Sequence, residues 1–191
     1  MAGARRLVVG ISGASGPQYG IRLLEVLRLA ETVETHLIIS RAARRTIELE
    51  TSMHVAAVEK LADVVYRPED LAAAISSGSF LTDGMVVAPC SMKTLASIAL
   101  GYGDDLLTRA ADVTLKERRR LILLPRETPL SLVHLKNMLA AAEAGAVILP
   151  PVPAFYNGPT SVEDVVDHTI GKVLDMLQIE HALFRRWTGP R

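Results

Sequence analysis

Several features that would define a protein class are absent from this sequence of 191 residues. Cys90 is its single cysteine, which excludes a disulfide framework and a cysteine-based zinc site and fits a reducing compartment such as the cytoplasm. Lysine plus arginine and aspartate plus glutamate both total 21, so no charge excess points to nucleic acid or to an acidic membrane surface. The apolar run after Arg6 ends at Ser12, which is too short for a signal-peptide core or a membrane span.

What the sequence does have is a high hydrophobic content, 49% of its residues. A chain of this length can bury a sizeable core, so we expect a single domain covering residues 1–191. The apolar content is high for such a chain, and we expect part of it to be buried between copies in a homo-oligomer.

Short apolar runs alternate with segments of helical periodicity along most of the chain. The runs are not polar on alternate residues, which is typical of strands covered on both faces. They lie at residues 7–11, 36–39, 85–88, 121–124 and 146–149, with a candidate edge strand at 63–66. The helical segments are 19–30, 42–50, 94–100, 106–118, 132–144 and 162–177. This alternation predicts an α/β fold in three layers, a parallel sheet with helices on both faces.

The first predicted strand ends in a loop with glycines at positions 10, 13 and 16. A strand, a glycine-rich loop and a helix in this order direct backbone N–H groups toward an anion, usually a phosphate. The spacing is not G-x-G-x-x-G, and no Gly-Lys-Ser/Thr follows, so neither the dinucleotide fingerprint nor the nucleoside-triphosphate loop is present. The loop predicts a phosphate-bearing ligand; a tight turn without a ligand is the alternative.

Polar residues follow the other predicted strands as well. Ligands of open parallel sheets bind outside the carboxyl ends of the strands. Ser91 and Thr94 are suited to the N-terminus of a helix that binds phosphate oxygens, although capping alone explains Ser91 equally well. Arg126 is suited to a bidentate contact with a phosphate or a flavin carbonyl. Cys90 is expected to be a buried thiol, since nothing in the sequence suggests a lowered pKa.

Several motifs in fixed order resemble those of one enzyme family. They are Gly13-Ala14-Ser15-Gly16, Pro89-Cys90-Ser91-Met92-Lys93-Thr94, Arg109-Ala110-Ala111-Asp112-Val113, Leu115-Lys116-Glu117, Pro125-Arg126-Glu127, His134-Leu135 with Asn137-Met138-Leu139, and Pro153-Ala154-Phe155-Tyr156. Together they closely resemble the flavin prenyltransferases of the UbiX/Pad type, over residues 7–187. The resemblance implies a Rossmann-like flavoprotein that assembles into a homo-oligomer, typically a dodecamer, and requires no metal. It implies a reaction of reduced FMN with dimethylallyl phosphate, whose prenylated-FMN product is used by a UbiD-type decarboxylase.

The same resemblance implies roles for individual residues. FMN contacts are implied for Gly13, Ala14, Ser15, Ser40, Ser91, Met92, Lys93, Thr94 and Arg126. Substrate contacts are implied for Arg109, Lys116, Tyr156, Lys172 and Trp187. Catalytic roles are implied for Ser15, Glu50, Lys116 and Glu127. Lys116 and Lys172 would neutralise the charge of the departing phosphate, and the Tyr156 hydroxyl would assist cleavage of the C–O bond. Ring closure on the flavin must also lose a proton, which Glu127 or the phosphate would accept.

One residue departs from the family pattern, because Lys172 stands where the family usually has arginine. Lysine keeps the positive charge but cannot make the two parallel hydrogen bonds that a guanidinium makes to a phosphate. We therefore expect a changed affinity for the prenyl phosphate and an unchanged type of reaction. Two alternatives from other classes are a non-catalytic FMN-binding subunit of an aromatic acid decarboxylase and a flavin-dependent cysteine decarboxylase. The second requires an early histidine and an Asn-containing turn that the sequence lacks at those places.

Overall fold

The structure, a computed structural model, describes residues 5–30 and 32–189 and consists of two compact units, with the division along the chain between Pro150 and Pro151. The strands of the first unit are β1 (Arg5–Ile11), β2 (Val33–Ile39), β3 (Val64–Tyr66), β4 (Gly84–Cys90), β5 (Arg120–Pro125) and β6 (Val147–Ile148). Its helices are α1 (Gln18–Ala30), α2 (Arg41–Glu50), α3 (Val55–Glu59), α4 (Met92–Ala99), α5 (Leu106–Lys116) and α6 (Leu132–Glu143), with a 3₁₀ turn at Ala74–Ser76. The second unit contains a 3₁₀ turn, Phe155–Asn157, and helix α7 (Val162–Leu177).

The six strands form one parallel sheet in the order β3-β2-β1-β4-β5-β6. The chain builds outward from β1 to β3 and then returns to β4 on the other side of β1. This order confirms the predicted Rossmann-like α/β fold and puts the topological switch point between β1 and β4. Ligand sites of open α/β sheets lie outside the carboxyl ends of the strands at this point.

The predicted apolar runs are found as strands, and both faces of the central strands are buried. All seven residues of β4 are buried, and so are the last five of both β1 and β2. The structure extends β2 to Val33, three residues before the predicted start, since Glu34 and Thr35 pair with β1 although they are polar. The strand predicted at 146–149 is shorter, Val147–Ile148, and α3 was not predicted.

Helix α5 ends two residues earlier than its periodicity predicted. Its capping box is formed by Asp105 and Thr108 at the N-terminus, and Glu117 is the C-cap. Arg118 then adopts a left-handed conformation with φ of 56°, which ends the helix. The chain turns there and enters β5 at Arg120.

Within residues 5–30 and 32–189, none of the helices has both the length and the apolar content needed to cross a membrane.

The second unit is organised around α7, whose bounds agree with the prediction. Ser161 caps the helix by accepting the N–H of Asp164 at 3.1 Å. The segment after the helix is attached to it by Asp175, whose carboxylate accepts Arg186 at 2.7 Å and lies 3.1 Å from His181 Nε2. A Cβ on Gly171 would lie 2.4 Å from the ring of Phe184, so only glycine permits this close approach.

Candidate active site

A cleft lies at the switch point of the sheet and is lined by the loops that follow β1, β4 and β5. Its volume of about 370 Å³ falls in the range of small-molecule sites. The lining residues are Gly13, Ala14, Ser15, Ser91, Met92, Arg126, Glu127 and Thr128. Seven of these eight were predicted site residues, drawn from three separate segments of the sequence. Thr128 was not predicted, and nothing in its sequence context marks it.

Ser12 connects the first two of these loops. Its hydroxyl donates to the Pro89 carbonyl at 2.9 Å and accepts the N–H of Ser91 at 2.7 Å. The side chain is buried. The third loop is attached in a similar way, because the Arg126 N–H donates to the Cys90 carbonyl at 3.1 Å. These backbone contacts fix the shape of the cleft floor before any ligand binds.

Two helices begin at the edge of this region. Ser40 caps α2 by accepting the N–H of Ala43 at 3.2 Å, and Ser91 caps α4 by accepting the N–H of Thr94 at 3.3 Å. Each cap satisfies one of the N–H groups that the first turn leaves unpaired. The remaining N–H groups and the positive end of each helix dipole favour an anion.

Gly13 is required by the close approach of its loop to α2. A Cβ built on Gly13 would lie 2.3 Å from the Cβ of Ala42, a distance that no pair of non-bonded carbon atoms tolerates. The loop therefore exposes backbone, rather than side chains, between α2 and the cleft.

Glu50, the last residue of α2, orients the next part of the loop. Its Oε2 accepts the hydroxyl of Ser15 at 3.1 Å and the N–H of Gly16 at 2.8 Å. The Glu50 carbonyl also accepts the Gln18 side chain at 2.9 Å. Ser15 and Glu50, each predicted to have a catalytic role, are therefore in direct contact, and Ser15 is one of the residues that line the cleft.

Arg126 provides the positive charge in the cleft. Within the part of the chain that the structure describes, its guanidinium has neither an acidic partner nor a side-chain hydrogen bond. Its charge acts on Tyr19, whose pKa is raised by burial, and the guanidinium partly opposes that rise. A cation without a partner beside two helix N-termini is suited to bind a phosphate or a polarised carbonyl.

Three predicted or candidate residues near β4 do not line the cleft. Lys93 points toward the loop before α5, where its Nζ lies 3.4 Å from Asp105 and 3.8 Å from Asp104. Thr94 is buried and takes part in the cap of α4. Cys90 is fully buried, and burial raises the pKa of its thiol, which agrees with the prediction of an inert cysteine.

Arg109 and Lys116 lie on α5, and the topology separates Lys116 from the cleft. Arg109 pairs with Asp112 at 2.6 Å and donates to the Ser76 carbonyl at 3.2 Å. Lys116, at the end of α5, pairs with Glu117, and this contact lowers the pKa of that carboxyl group. The chain enters β5 four residues after Lys116, at the amino ends of the parallel strands. Arg126 follows β5 and therefore lies at their carboxyl ends. The strand between them spans about 20 Å, at roughly 3.3 Å per residue.

The remaining predicted substrate residues belong to the second unit. Tyr156 contacts the ring of Trp187 edge to face at 5.8 Å, and its hydroxyl lies 3.0 Å from His168 Nε2. Lys172 lies one turn after His168 on α7. A small cleft of about 240 Å³ is lined there by Tyr156, Asn157, Arg185, Arg186, Trp187, Thr188 and Gly189. The sequence offered no signal for His168, a lone histidine on a helix.

Comparison with known proteins agrees with this geometry. The family model for flavoproteins matches residues 1–186. A probable UbiX-like flavin prenyltransferase of Streptomyces sp. (strain D7) is 59% identical over 186 residues, 97% of this chain and 93% of the relative. The crystal structure of AnUbiX (PadA1) in complex with FMN and dimethylallyl pyrophosphate superposes with a TM-score of 0.95 at 53% identity, covering 98% of this chain and 99% of that one. A dodecameric FMN-dependent UbiX-like decarboxylase from Escherichia coli O157:H7 has a TM-score of 0.95 at 55% identity, covering 96% and 100% of the two chains.

The chain therefore belongs to the flavoprotein family and, within it, to the UbiX-type flavin prenyltransferases.

Proposed function

We propose that this chain, as one flavoprotein domain over residues 1–191, joins the dimethylallyl group of dimethylallyl phosphate to N5 and C6 of reduced FMN. The observation that carries the proposal is the cleft at the switch point, where Ser15, Arg126 and Glu127 line one cavity. The resemblance of the whole chain to enzymes named as flavin prenyltransferases supports the same reaction.

The residues of the cleft fit FMN. Two capped helix N-termini and the guanidinium of Arg126 supply three positive groups for a phosphate and for ring carbonyls. Gly13 lets the loop pack directly against the N-terminal turn of α2, since a Cβ there would lie 2.3 Å from the Cβ of Ala42. When bound in its reduced form, FMN supplies the nucleophilic ring atoms N5 and C6.

Three side chains of the cleft would act around that ring. The Ser15 hydroxyl is oriented by Glu50, so it would be held in one position rather than rotate freely. Glu127 accepts the Thr128 N–H through Oε1 at 3.0 Å, and its Oε2 would accept the proton that ring closure releases at C6. Arg126, which has no acidic partner among the described residues, would stay fully available for the ligand.

The cations proposed for the prenyl phosphate indicate how the site would be completed. Lys116 lies at the amino ends of the strands, far from the cleft of the same chain. We therefore propose that it contributes to the cleft of a neighbouring copy. The dodecameric relative supports an oligomer of this kind. Helix α6 offers an apolar surface for such contacts, since Leu132, Val133 and Leu139 are exposed.

The donor, the recipient and the compartment are part of the same proposal. Dimethylallyl phosphate is the proposed donor, and the relative crystallised with dimethylallyl pyrophosphate makes the pyrophosphate the alternative to compare. We propose that a UbiD-type decarboxylase receives the product, and that the reaction takes place in the cytoplasm, where a single buried cysteine would remain reduced.

The deciding experiment is anaerobic incubation of the purified protein with reduced FMN and each prenyl donor in turn. Mass spectrometry should find a flavin carrying one dimethylallyl group, formed faster from the phosphate than from the pyrophosphate. Arg126→Gln should lose FMN binding, and Arg120→Gln, an exposed arginine at the far edge of β5, is the matched control. Binding of FMN without any prenylated product would favour the non-catalytic FMN-binding subunit instead.

A further inference from the structure

The hydroxyl of Tyr156 has one hydrogen-bond partner among the described residues, His168. The distance from Tyr156 Oη to His168 Nε2 is 3.0 Å. The tyrosine ring is also held on two sides, since it meets the rings of His168 and Trp187 edge to face, each at 5.8 Å. The half-exposed ring thus packs against both neighbours, and among the described residues His168 is the one whose hydrogen bond can set the direction of the hydroxyl proton.

His168 is expected to be neutral near pH 7. Its ring is partly buried against Phe184, with ring centres 4.7 Å apart. Burial lowers the pKa of His168, and the positive charge of Lys172, four residues further along the same helix, lowers it again. A neutral imidazole has one N–H donor and one acceptor nitrogen, so two arrangements of the hydrogen bond with Tyr156 are available.

The chemistry of the proposed donor selects one of them. A phosphate dianion offers only acceptors, so a tyrosine that contacts it must donate its own proton. The Tyr156 oxygen is then left with lone pairs and can only accept a hydrogen bond from His168. That arrangement requires the proton of the imidazole to be on Nε2.

We infer that His168, as its Nε2–H tautomer, donates to Tyr156 Oη and thereby turns the Tyr156 proton toward the phosphate of the prenyl donor. His168 is thus a positioning residue that acts through Tyr156 and does not touch the substrate. The inference rests on the proposed function, because it takes Tyr156 to be a ligand of the prenyl phosphate. The hydrogen bond from Tyr156 would strengthen as negative charge collects on the departing phosphate, so both binding and rate depend on it.

The test is a double-mutant cycle with a conservative rescue. The variants are His168→Leu, which removes the donor, His168→Gln, which keeps an amide N–H at a similar position, Tyr156→Phe, and the double variant His168→Leu/Tyr156→Phe. One readout is kcat for prenylated flavin. The other is the Kd of dimethylallyl phosphate measured by calorimetry on enzyme that carries oxidised FMN, which does not turn over. FMN affinity is the control for folding of the site.

We expect His168→Leu to lower kcat about tenfold and to raise the Kd about threefold, the size of one hydrogen bond. His168→Gln should recover most of both losses, and FMN affinity should not change. In the Tyr156→Phe background, His168→Leu should change neither quantity by more than about twofold, because its effect passes through the missing hydroxyl.

Equal losses in both backgrounds would show that His168 acts by packing, and no loss in either would show that it does nothing; each result overturns the inference. Wild-type activity in Tyr156→Phe would overturn it too, while leaving the proposed reaction in place. If the unmodified protein makes no prenylated flavin, the proposed reaction fails, and the pattern of Kd values alone then supports or overturns the coupling of His168 to Tyr156.

Discussion

The buried hydroxyl of Ser12 accepts the backbone N–H of Ser91 at 2.7 Å and so joins the ends of β1 and β4 beneath the cleft. The same hydroxyl donates to the Pro89 carbonyl at 2.9 Å. Together with the Ser12 N–H, which donates to the same carbonyl at 3.2 Å, this hydroxyl holds the glycine-rich loop next to the N-terminus of α4, and these are the two segments that would bind the phosphate of FMN.

Ser12→Ala should both destabilise the protein and weaken FMN binding. It leaves the N–H of Ser91 without its partner, which costs about 1–3 kcal/mol of unfolding free energy. Because the two loops are then joined only by the backbone hydrogen bond from the N–H of residue 12 to the Pro89 carbonyl, the Kd of FMN should rise by about tenfold or more. Urea unfolding and flavin fluorescence titration measure the two effects. Ser97→Ala is the matched control, since the Ser97 hydroxyl is also buried but donates only to the Lys93 carbonyl within α4. An unchanged FMN affinity in Ser12→Ala would refute the positioning role.

Gly13→Ala should weaken FMN binding, and a second substitution should restore part of the lost affinity. The added Cβ would lie 2.3 Å from the Cβ of Ala42, so α2 or the loop must move. We expect at least a tenfold loss of FMN affinity, since the contacts of the loop depend on its position. Ala42→Gly in the same protein removes the clashing atom, and the next neighbours are at 3.3 Å, so affinity should partly return.

Gly103→Ala serves as the control for this pair. Its Cβ would meet its nearest neighbour at 3.4 Å, an ordinary contact, so FMN affinity should be unaffected. If Ala42→Gly brings no recovery in the Gly13→Ala protein, the clash is not the cause of the loss.

The sequence predicted the sheet and the cleft well because both depend on short-range signals. Strands covered on both faces are apolar throughout, and loops at their carboxyl ends carry small hydroxyl groups and glycine, so Ser15 and Ser91 could be assigned to one rim. The first residues of β2 were missed because Glu34 and Thr35 are polar. His168 was missed for a different reason, since its role depends on a contact with Tyr156 that no spacing in the sequence reveals.

Glu50→Gln should slow prenyl transfer while leaving FMN affinity within about threefold of its normal value. The amide oxygen can still accept the N–H of Gly16, so the loop keeps its shape, but the negative charge that orients the Ser15 hydroxyl is gone. We expect kcat to fall by about tenfold or more. Glu48→Gln, on the same helix and paired among the described residues with Arg45 alone, should behave like the unmodified protein. Single-turnover absorbance measurements distinguish the two variants, and equal rates would remove Glu50 from the site.

His36 should make the protein less stable as the pH falls below neutrality. Its ring is buried in β2, with Nδ1 3.0 Å from the Tyr66 hydroxyl and Nε2 3.2 Å from Glu34. Burial lowers the pKa of His36, and the charge of Glu34 only partly offsets this. Below the ordinary histidine pKa of about 6.5, the unfolded chain therefore binds a proton that the folded chain does not, and the free energy of unfolding decreases as the pH falls.

His36→Gln removes this titration and should flatten the decline in melting temperature between pH 7 and 5.5. The carboxyl group of Asp63 also has a lowered pKa, because of its hydrogen bonds to Thr35, but its contribution is lost only at pH values below that interval. His54→Gln, at an exposed position, is the matched control for replacing a histidine by glutamine. A slope in His36→Gln as steep as in the unmodified protein would rule out this assignment.

Lys116 and Glu127 provide the sharpest test of how the site is assembled. Lys116→Ala should keep FMN binding but lower the rate of prenyl transfer about a hundredfold, since the cation acts on the departing phosphate. Glu127→Gln should lower the rate because the proton acceptor is lost.

In one copy of the chain, Lys116 and Glu127 lie at opposite ends of the strands, Lys116 before β5 and Glu127 after it. If each site combines Glu127 of one copy with Lys116 of another, co-expression of the two variants creates some sites with both residues intact. Random assembly gives about a quarter of the wild-type activity in such mixed oligomers, because each site draws the two residues independently. Mixing the two variants after separate assembly gives the baseline without exchange of copies. Activity in the co-expressed oligomer no higher than in that baseline would mean that Lys116 does not complete the site of a neighbouring copy.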